Sequence, residues 1–530
     1  MIFDARSLSE GDLIDADICI VGGGPAGITL ALELRDTPLK VVLLESGDLH
    51  PDPETQALYQ GPNLGFQYDP LDEARLRFLG GSSNHWAGNC MRLRPIDFEQ
   101  LDWMPHSGWP IGYDDLDPFY DRAQPYFEIP TDRPYDIDHW SSELNLPLLD
   151  LDPDLMVNMG ANESPPTAFG HVYEEALRQA DNLHVFLNAN VLEIETDINA
   201  ASVTALSVAC IDGPTLRVEA RQTVLAMGGI EIPRLMLLSD RVARNGIGNE
   251  AGLVGRFFAD HPAIRPPMRI LMGRRAPDLD LYSTTHSVEN GVLYGAVMGS
   301  DALARREKLP GFMFNLFYDR HSPGALAATN FYRNIRGGND IPYLSSQVAN
   351  LFTDFDGAVN AVHEQVTGAR DPLIDRDWLG PWLSFECVPN PDSRVHLVDE
   401  TDRFGQRRIA LDWQFTEQEM RTVKRATEIF AAEATRLGLG RVWTDVLRED
   451  YDWPPYVARG KHHCGTTRMS DDPTTGVVDA DCRVHGMENL YIASSSVFPT
   501  NGFATPTLTI GAMAIRLADH LKSSTRSGSL

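Results

Sequence analysis

Two histidines and a cysteine stand side by side in the stretch ARGKHHCGTTRMS, residues 458–470. His462, His463 and Cys464 offer three kinds of chemistry: a metal site, a nucleophile with its base, or a general base that takes a proton from a substrate. A metal site needs further converging ligands, and the sequence shows none at a suggestive spacing. Adjacent side chains seldom point at each other, which disfavours a Cys–His nucleophile pair. At this point the three alternatives stay open.

A glycine-rich turn near the N-terminus is a second candidate site. Gly22, Gly24 and Gly27 form the pattern G-x-G-x-x-G, and Glu45 stands at the end of the next predicted strand. The glycines permit a tight turn, the approach of a pyrophosphate to the backbone, and close packing of helix on strand. A carboxylate at Glu45 can accept hydrogen bonds from ribose hydroxyls and argues against a 2′-phosphate. The pattern predicts a bound ADP moiety, without deciding between FAD and NAD.

A βαβ unit must position that turn. The apolar run 18–21 is typical of a buried parallel strand, and an apolar-periodic helix runs from Pro25 to about Leu34 before the next strand. Farther along, residues 391–413 predict two antiparallel strands, and residues 416–438 predict an amphipathic helix with a Thr cap and a terminal Gly. A last helix follows residue 506, and the chain from residue 522 is predicted to be a frayed tail.

Composition excludes some classes of function. The net charge of −30, from 45 basic and 75 acidic residues, argues against nucleic acid or an anionic membrane as partner. Six scattered cysteines without a C-x-x-C pair predict reduced, buried thiols. The N-terminal stretch lacks the pattern of a signal peptide, and no apolar run reaches the ~18 residues that span a bilayer. A cytoplasmic protein of two closely joined domains is therefore expected.

Several longer stretches resemble signatures of the glucose–methanol–choline (GMC) oxidoreductases. They are FLGGSSNHWAG (78–88), VLAMGGIEIPRLMLLS (224–239), GLVGRFFADHP (252–262), ECVPNPDSRVHL (386–397) and the closing block from HHCGTTRMS to PTLTIGAMAIRLADHL. Within the family the chain looks nearest to the pyranose 2-oxidase and glucoside 3-dehydrogenase branch. The resemblance implies an FAD enzyme that oxidises a C–OH group to a carbonyl by hydride transfer to flavin N5.

The resemblance also implies roles for the C-terminal residues. His462, in the pattern H-x-x-G-T, would be the catalytic base, because imidazole can take the hydroxyl proton near neutral pH. His463 falls on a variable position and would bind substrate or pack. Thr505 stands just before the proline of P-x-L-T, where the family commonly has Asn or His. It would hold the substrate oxygen more weakly, helped by His463 or Asn501, or mark a site re-tuned for another reaction, or simply pack.

Cofactor contacts are implied in the same way. His85 aligns with the histidine that carries a covalent bond to flavin in pyranose 2-oxidase and choline oxidase, so it either carries that bond or lines the flavin. Small residues would let the backbone pass close to the flavin and pyrophosphate: Gly80, Gly81, Ser82, Ser83 and Asn84. Asn89 would lie near the flavin ring, Val191 at the adenine and Gly228 beneath the nucleotide. Asp479 would touch the ribityl chain or the phosphate, and Pro506 and Thr507 would start the last helix at the flavin ring edge.

The implied fold is α/β, of the GMC and p-hydroxybenzoate-hydroxylase-like type. A discontinuous Rossmann-type FAD-binding domain would comprise residues 1–95, 186–264 and 456–530. A substrate-binding domain on an antiparallel sheet would comprise residues 96–185 and 265–455. Aromatic residues are candidates for stacking on a sugar ring, although most are expected in the core: Trp86, Trp103, Trp109, Tyr113, Phe317, Tyr318, Tyr332 and Trp382.

The expected substrate is a small molecule, namely a sugar, glycoside or polyol. The alternatives are a non-sugar alcohol or biosynthetic intermediate, and a flavoprotein that does not oxidise alcohols. Dioxygen or an electron carrier would reoxidise the flavin. A homo-oligomer or a small accessory subunit is left open, and no metal is expected.

Overall fold

The structure is a computed structural model of the 530-residue chain. It describes residues 1–131, 133–288, 291–318, 378–453 and 457–526, and also residues 327, 328, 331, 348, 351, 352, 355, 358, 359 and 362. The aromatic candidate Tyr332 lies outside the described residues.

The strands, in chain order, are β1 (Ile2–Asp4), β2 (Leu13–Val21), β3 (Val41–Leu44), β4 (Asn89–Cys90), β5 (Met156–Glu163), β6 (Leu183–Leu187), β7 (Asn190–Thr196), β8 (Val203–Ala209), β9 (Thr215–Leu225), β10 (Pro262–Ile264), β11 (Arg269–Met272), β12 (His286–Val288), β13 (Gly291–Gly299), β14 (Phe312–Asn315), β15 (Trp378–Leu379), β16 (Trp382–Phe385), β17 (Arg394–Thr401), β18 (Arg407–Asp412), β19 (Gly440–Trp443), β20 (Ala458–Arg459) and β21 (Leu490–Ile492). The helices are α1 (Pro25–Leu34), α2 (Pro53–Gln56), α3 (Tyr113–Ala123), α4 (Ile137–Leu144), α5 (Phe169–Val172), α6 (Glu174–Gln179), α7 (Gly228–Leu238), α8 (Asp280–Ser283), α9 (Asp301–Glu307), α10 (Glu417–Arg436) and α11 (Thr507–Arg526).

The first sheet has the strand order β1-β6-β3-β2-β9-β8-β7, and β21 also pairs with β9. Its central strands are parallel, whereas β7, β8 and β9 pair antiparallel. All four residues of β3 and the last four of β2 are buried, as expected for strands covered on both faces. The predicted βαβ unit is thus confirmed as β2-α1-β3, with α1 bounded as predicted at Pro25 and Leu34.

The second sheet is antiparallel, with the order β20-β10-β16-β14-β13-β5-β4 and β12 beside β13. Along β14 and β16 the side chains alternate, so that Phe314 and Leu383 share one face. That face packs on α10, where Phe314 stacks on Phe430 with ring centroids 4.5 Å apart. The opposite face is left for the interior between the two sheets.

Other sequence predictions are confirmed. The hairpin in 391–413 is β17 and β18, which pair antiparallel. Helix α10 begins after a capping box of Thr416 and Glu419. All six cysteines are free and buried. No helix in the part of the chain that the structure describes is long and apolar enough to cross a membrane; the cytoplasmic location stays a prediction.

The predicted frayed tail is wrong for residues 522–526, because α11 continues to Arg526, and residues 527–530 lie outside the described residues. The Nζ atom of Lys522 lies 3.3 Å from carboxylate oxygens of both Glu33 and Asp519. The pair with Glu33 links the last turns of α11 to α1, whereas the pair with Asp519 lies within α11. The domain limits stay a prediction. Three short strands of the antiparallel sheet, β4, β10 and β20, come from segments assigned to the FAD-binding domain.

Candidate active site

A cavity of about 630 Å³ lies between the ends of the parallel strands and the antiparallel sheet. Most of the predicted site residues line it: Gly22, Gly24, Glu45, Gly81, Ser82, Ser83, His85, Asn89, Val191, Gly228, His462, His463, Thr505, Pro506 and Thr507. Four do not line it: Gly27, Gly80, Asn84 and Asp479. Asn84 donates to carbonyls of its own loop, and Asp479 accepts from the backbone of a surface turn, at Asp481 and Arg483.

The glycine turn has the close contacts that only glycine allows. Gly22 has a φ of 109°, and a Cβ there would lie 2.7 Å from the carbonyl oxygen of Ala226. A Cβ on Gly27 would lie 1.9 Å from the carbonyl oxygen of Gly22. Gly27 therefore acts by letting α1 pack on the turn, although it does not face the cavity. The Glu45 carboxylate accepts from the N–H groups of Gly23 and Gly47, each at 2.8 Å.

A buried group of charges on the cavity wall was missed by the sequence analysis. The guanidinium groups of Arg75 and Arg77 lie 4.0 and 4.7 Å from the ring centroid of Tyr59. Both also approach Glu231, at 3.0 and 3.5 Å. Burial would raise the pKa of Glu231, but Arg234, Arg75 and Arg77 hold it at about 2. The sequence held a signal for this group. Arg75 and Arg77 directly precede the quoted stretch 78–88, and Glu231 lies within the quoted stretch 224–239.

Several polar atoms of the cavity wall are buried without a hydrogen-bond partner in the structure. They are Nε of Arg77, Nε2 of His463 and the Oδ1 atoms of Asn89 and Asn315. Buried polar groups are rarely left unsatisfied. Together with the dinucleotide turn, they indicate that the cavity is built to hold a polar group of the size of a dinucleotide cofactor.

His462 is held by a second histidine that the sequence analysis quoted but did not assign. Nδ1 of His462 lies 3.0 Å from Nδ1 of His261, and Nε2 of His261 lies 3.2 Å from the carbonyl oxygen of Asn501. A carbonyl can only accept, so Nε2 of His261 carries the hydrogen and its Nδ1 is an acceptor. Nδ1 of His462 must then donate to it. Nε2 of His462 consequently keeps its lone pair.

Burial lowers the pKa of His462 to about 3, and the neighbouring His261 contributes in the same direction. The imidazole is therefore neutral above about pH 4. Burial likewise lowers the pKa of His261. Both rings thus stay in the tautomers described above across the physiological range.

Asp260 fixes the backbone that carries His462. Its carboxylate accepts from the N–H groups of His261, Lys461 and His462 at 2.7, 3.2 and 2.8 Å, and from the hydroxyl of Tyr68 at 2.7 Å. These bonds hold Lys461 at a φ of 59°, in the sparsely populated left-handed region. The turn before His462 is thereby set by a buried carboxylate.

The alternative chemistries at the histidine pair fit the structure less well. Asp260, His261 and His462 bring potential metal ligands within 4.8 Å of one another. However, those atoms already serve the hydrogen bonds described above, which favours a hydrogen-bonded cluster. Burial raises the pKa of the Cys464 thiol well above its usual value, which disfavours a thiolate nucleophile. His463 packs against Tyr68 and Phe258, with ring centroids 6.0 and 5.9 Å away.

The hydroxyl group of Thr505 donates its hydrogen to another residue of the protein. Its Oγ1 donates to the carbonyl oxygen of Asn89 at 2.9 Å and so ties the start of α11 to β4. Asn501 does not line the cavity; it donates to the carbonyl oxygen of Asp260 at 3.2 Å. In this arrangement Thr505 can offer a substrate only its oxygen lone pairs.

One face of the antiparallel sheet forms the wall opposite the glycine turn. Glu163 pairs directly with Asn89, and Asn315 with Trp382, so each pair shares a face. Tyr294 lies on the same face, two residues from the partner of Glu163. All five line the cavity. Next to them, Phe317 meets Trp382 edge to face at 4.7 Å between centroids, and Arg265 lies 4.1 Å from the same ring.

Comparison with known proteins relates the chain to one family. Residues 389–514 match the family model described as GMC oxidoreductase. The chain carries a C-terminal GMC oxidoreductase domain. The family consists of FAD-binding flavoproteins, whose named members include dehydrogenases and oxidases of CH–OH donors. The chain is accordingly an enzyme of that class, as the resemblance implied, and its closer placement in the pyranose 2-oxidase branch stays a prediction.

Curated relatives match this chain over nearly its whole length. The large subunit of fructose dehydrogenase from Gluconobacter japonicus is 23% identical, over 98% of this chain and 100% of its own. The 2-methyl-1,2-propanediol dehydrogenase of Mycolicibacterium austroafricanum is 24% identical, over 95% of both chains. Paromamine 6′-oxidase of Streptomyces fradiae is 24% identical, over 95% of this chain and 90% of its own.

Solved structures support the fold. Pyridoxine 4-oxidase from Mesorbium loti is similar with a TM-score of 0.56 and 19% identity, covering 96% of this chain and 99% of its own. Formate oxidase of Aspergillus oryzae RIB40 is similar with a TM-score of 0.55 and 16% identity, covering 98% and 100%. The α/β architecture of a GMC oxidoreductase, with one largely parallel and one antiparallel sheet, is thus confirmed.

Proposed function

We propose that this GMC oxidoreductase binds FAD in the cavity and oxidises a C–OH group to a carbonyl, with His462 as the general base. The hydrogen-bond chain from the Asn501 carbonyl through His261 to His462 carries this proposal. It leaves a neutral imidazole with a free lone pair on Nε2 at the wall of a cavity that also contains the dinucleotide turn.

The residues that would hold FAD are those of the glycine turn, Glu45 and the loop 81–85. The N-terminal N–H groups of α1 and α11 face the cavity and favour anionic parts of a ligand. FAD, when bound, supplies the acceptor for the hydride that leaves the carbinol carbon.

His462 would take the hydroxyl proton at Nε2. The resulting imidazolium would keep its Nδ1–H donation to His261, and the carboxylate of Asp260, which accepts from the backbone N–H of His462, would stabilise the positive charge. The low pKa of His462 limits how long it keeps that proton, so the proton passes on after the reaction. General-base catalysis of this kind contributes roughly 10²–10⁴ in rate.

A sugar, glycoside or polyol is the proposed substrate class. The sheet wall combines hydrogen-bonding groups on Asn89, Asn315 and Tyr294 with the aromatic pair Phe317 and Trp382. Aromatic faces with converging polar groups suit a ring that has apolar C–H faces and several hydroxyls. The names of the curated relatives refer to fructose, a propanediol and paromamine, which are all consistent with alcohol oxidation.

The test is anaerobic bleaching of the flavin absorbance by a panel of sugars, glycosides, polyols and simple alcohols. We expect bleaching by one class, and we expect His462→Gln to slow flavin reduction by roughly 10²–10⁴. The control is His171→Gln, because His171 is exposed and does not line the cavity. Full reduction rates in His462→Gln would refute the assignment of the base. Absence of bleaching by every compound would refute alcohol oxidation of this class.

A covalent bond between His85 and FAD is the finer cofactor proposal. His85 lies on the cavity wall, and burial lowers its pKa to about 4, so the ring is neutral with one nitrogen lone pair available. Flavin that stays with the protein after acid precipitation, and is released from His85→Ala, is the expected result. Release of all flavin from the wild type would contradict it.

The second candidate is oxidation of another alcohol or biosynthetic intermediate at a re-tuned site. The observation that favours it is the bond from Thr505 to Asn89, because it takes away the donor that an Asn would offer the substrate oxygen. Thr505→Asn tests this: faster flavin reduction by sugars would indicate that Thr505 had re-tuned the site.

Dioxygen or an electron carrier is proposed to reoxidise the flavin, and readmission of air after bleaching distinguishes the two. A homo-oligomer or an accessory subunit stays a prediction for this chain. The relative from Gluconobacter japonicus is named as the large subunit of fructose dehydrogenase.

A further inference from the structure

A carboxylate on the sheet wall is not accounted for by the chemistry described so far. Glu163 ends β5 and pairs with Asn89 of β4, whose carbonyl accepts the bond from Thr505. Because directly paired side chains share a face, the Glu163 carboxylate faces the cavity close to the start of α11. It thus lies on the side of the cavity where a substrate would meet Thr505.

Glu163 differs from the other carboxylates that line the cavity. Among described residues that line the cavity, Glu45 is bound by backbone N–H groups and Glu231 by arginines. For Glu163 no hydrogen bond or ion pair is found within the described part of the chain. Among the described residues, Tyr294 and Cys90 have a pKa that is raised by burial and by the charge of Glu163, and neither of these groups is a cation.

The cationic side chain of Arg265, on the same wall, contacts the ring of Trp382. Arg265 lies over the ring of Trp382, at 4.1 Å from its centroid. Burial raises the pKa of the Glu163 carboxyl, as it does for a carboxyl that lacks a positive neighbour. A desolvated carboxylate without a partner is costly, and a ligand that brings a positive charge offsets that cost.

We propose that Glu163 binds the ammonium group of an amino alcohol, such as an amino sugar or an amino polyol. This proposal rests on the alcohol oxidation proposed above. Glu163 would then set the substrate class, by selecting an amine at one position while His462 acts on a hydroxyl at another. A primary ammonium donates to a carboxylate as one partner of an ion pair, and its positive charge offsets the buried negative charge. A hydroxyl in the same place also donates to the carboxylate but brings no charge.

The experiment compares matched pairs of ligands that differ by an amino or a hydroxyl group: D-glucosamine with D-glucose, and serinol with glycerol. Binding to the FAD-loaded enzyme is measured anaerobically by calorimetry, and flavin reduction is followed separately. We expect the amine of at least one pair to bind about tenfold or more tightly at pH 7. That preference should be lost in Glu163→Gln and kept in Glu219→Gln, which removes the same charge from a half-exposed, remote position.

The two readouts separate this inference from the proposed function. Equal binding of amine and hydroxyl partners to the wild type would overturn the role of Glu163, and so would a preference that survives in Glu163→Gln. If amines bind preferentially but no compound bleaches the flavin, the oxidation fails and the amine site stands. If Glu163→Gln loses its flavin, Glu163→Asp replaces it and should keep the preference in weakened form, because it keeps the charge.

Discussion

At the scale of single residues, the contact between His261 and His462 decides what the site can do. A histidine acts as a base only through a nitrogen that carries no hydrogen, and the partner of its other nitrogen determines which one that is. Here that choice is made by the backbone carbonyl of Asn501, two hydrogen bonds away from His462. We regard His261 as a positioning residue, because it acts through His462.

His261→Phe removes the acceptor for Nδ1 of His462, and we expect flavin reduction to slow by about 10- to 100-fold with little change in substrate Kd. His261→Asn should retain more activity, because its amide oxygen can accept the same bond. Stopped-flow reduction over a range of substrate concentrations gives the rate constant and the Kd separately. An equal loss in both variants would contradict the positioning role.

The pH profile provides a second readout for the same residue. With a pKa of about 3, His462 stays unprotonated above pH 4, so wild-type flavin reduction should not decline between pH 8 and 5 through this group. Loss of His261 removes one cause of the low pKa, and His261→Phe should therefore decline at the acid end. An unchanged profile in that variant would argue against electrostatic coupling of the two rings.

At the scale of elements, two glycines of the turn between β2 and α1 have different roles, one in folding and one in binding the cofactor. A Cβ on Gly27 meets the backbone of Gly22, whereas a Cβ on Gly24 meets nothing within 4 Å. We expect Gly27→Ala to lower the Tm of the flavin-free protein. Gly24→Ala should leave that Tm unchanged yet reduce the flavin content, read from the 450 to 280 nm absorbance ratio. Normal flavin content in Gly24→Ala would contradict close approach of the cofactor.

The loop that leads into α11 is held by a second buried carboxyl. Glu386 accepts from the N–H groups of Gly311 and Gly502 at 2.9 and 3.1 Å. Burial and the nearby Asp97 carboxyl raise the pKa of Glu386 to about 7 from 4.5. A raised pKa means that the folded state holds the proton more tightly, so its stabilising effect is complete below pH 4.5 and is lost as the pH rises through 7.

We therefore expect the free energy of unfolding of the wild type to fall, relative to Glu386→Gln, by about 2 kcal/mol between pH 5 and pH 8. Glutamine cannot ionise, so that variant lacks this dependence. Urea unfolding at several pH values measures the difference. A difference that is constant with pH would show that Glu386 does not titrate in this range.

At the scale of the whole molecule, the cavity lies between two sheets, each of which has hydrophobic contacts of its own. Its wall includes β2, β3 and β7 on one side and β5, β13, β14 and β16 on the other. A cofactor that fills this space binds the folded protein and not the unfolded chain, so it stabilises both sheets together.

Using His85→Ala to allow release of flavin, we expect FAD at a hundredfold excess over Kd to raise Tm by about 2–3 °C. Riboflavin at the same concentration lacks the ADP part that the glycine turn and Glu45 would bind, and it should raise Tm less. Calorimetric or fluorescence melting curves measure both. Equal shifts by the two compounds would contradict ADP recognition by the turn.

The sequence by itself determined the features that depend on contiguous residues. The glycine turn, helix α1, the hairpin of β17 and β18, and the capped helix α10 were predicted because each is set by local periodicity, capping or turn chemistry. The candidate base His462 was named from a short motif. The error over residues 522–526 arose because this part of α11 contacts α1, far away in the chain, through the ion pair of Lys522 with Glu33.

Only the tertiary structure decided how the site is completed. His261 and His462 are 201 residues apart, Arg75 and Glu231 are 156 apart, and Thr505 and Asn89 are 416 apart. Whether Glu163 faces the cavity depends on strand register, and a shift of one residue would turn it away. Such contacts depend on which surfaces pack together, and no local pattern of residue types specifies that.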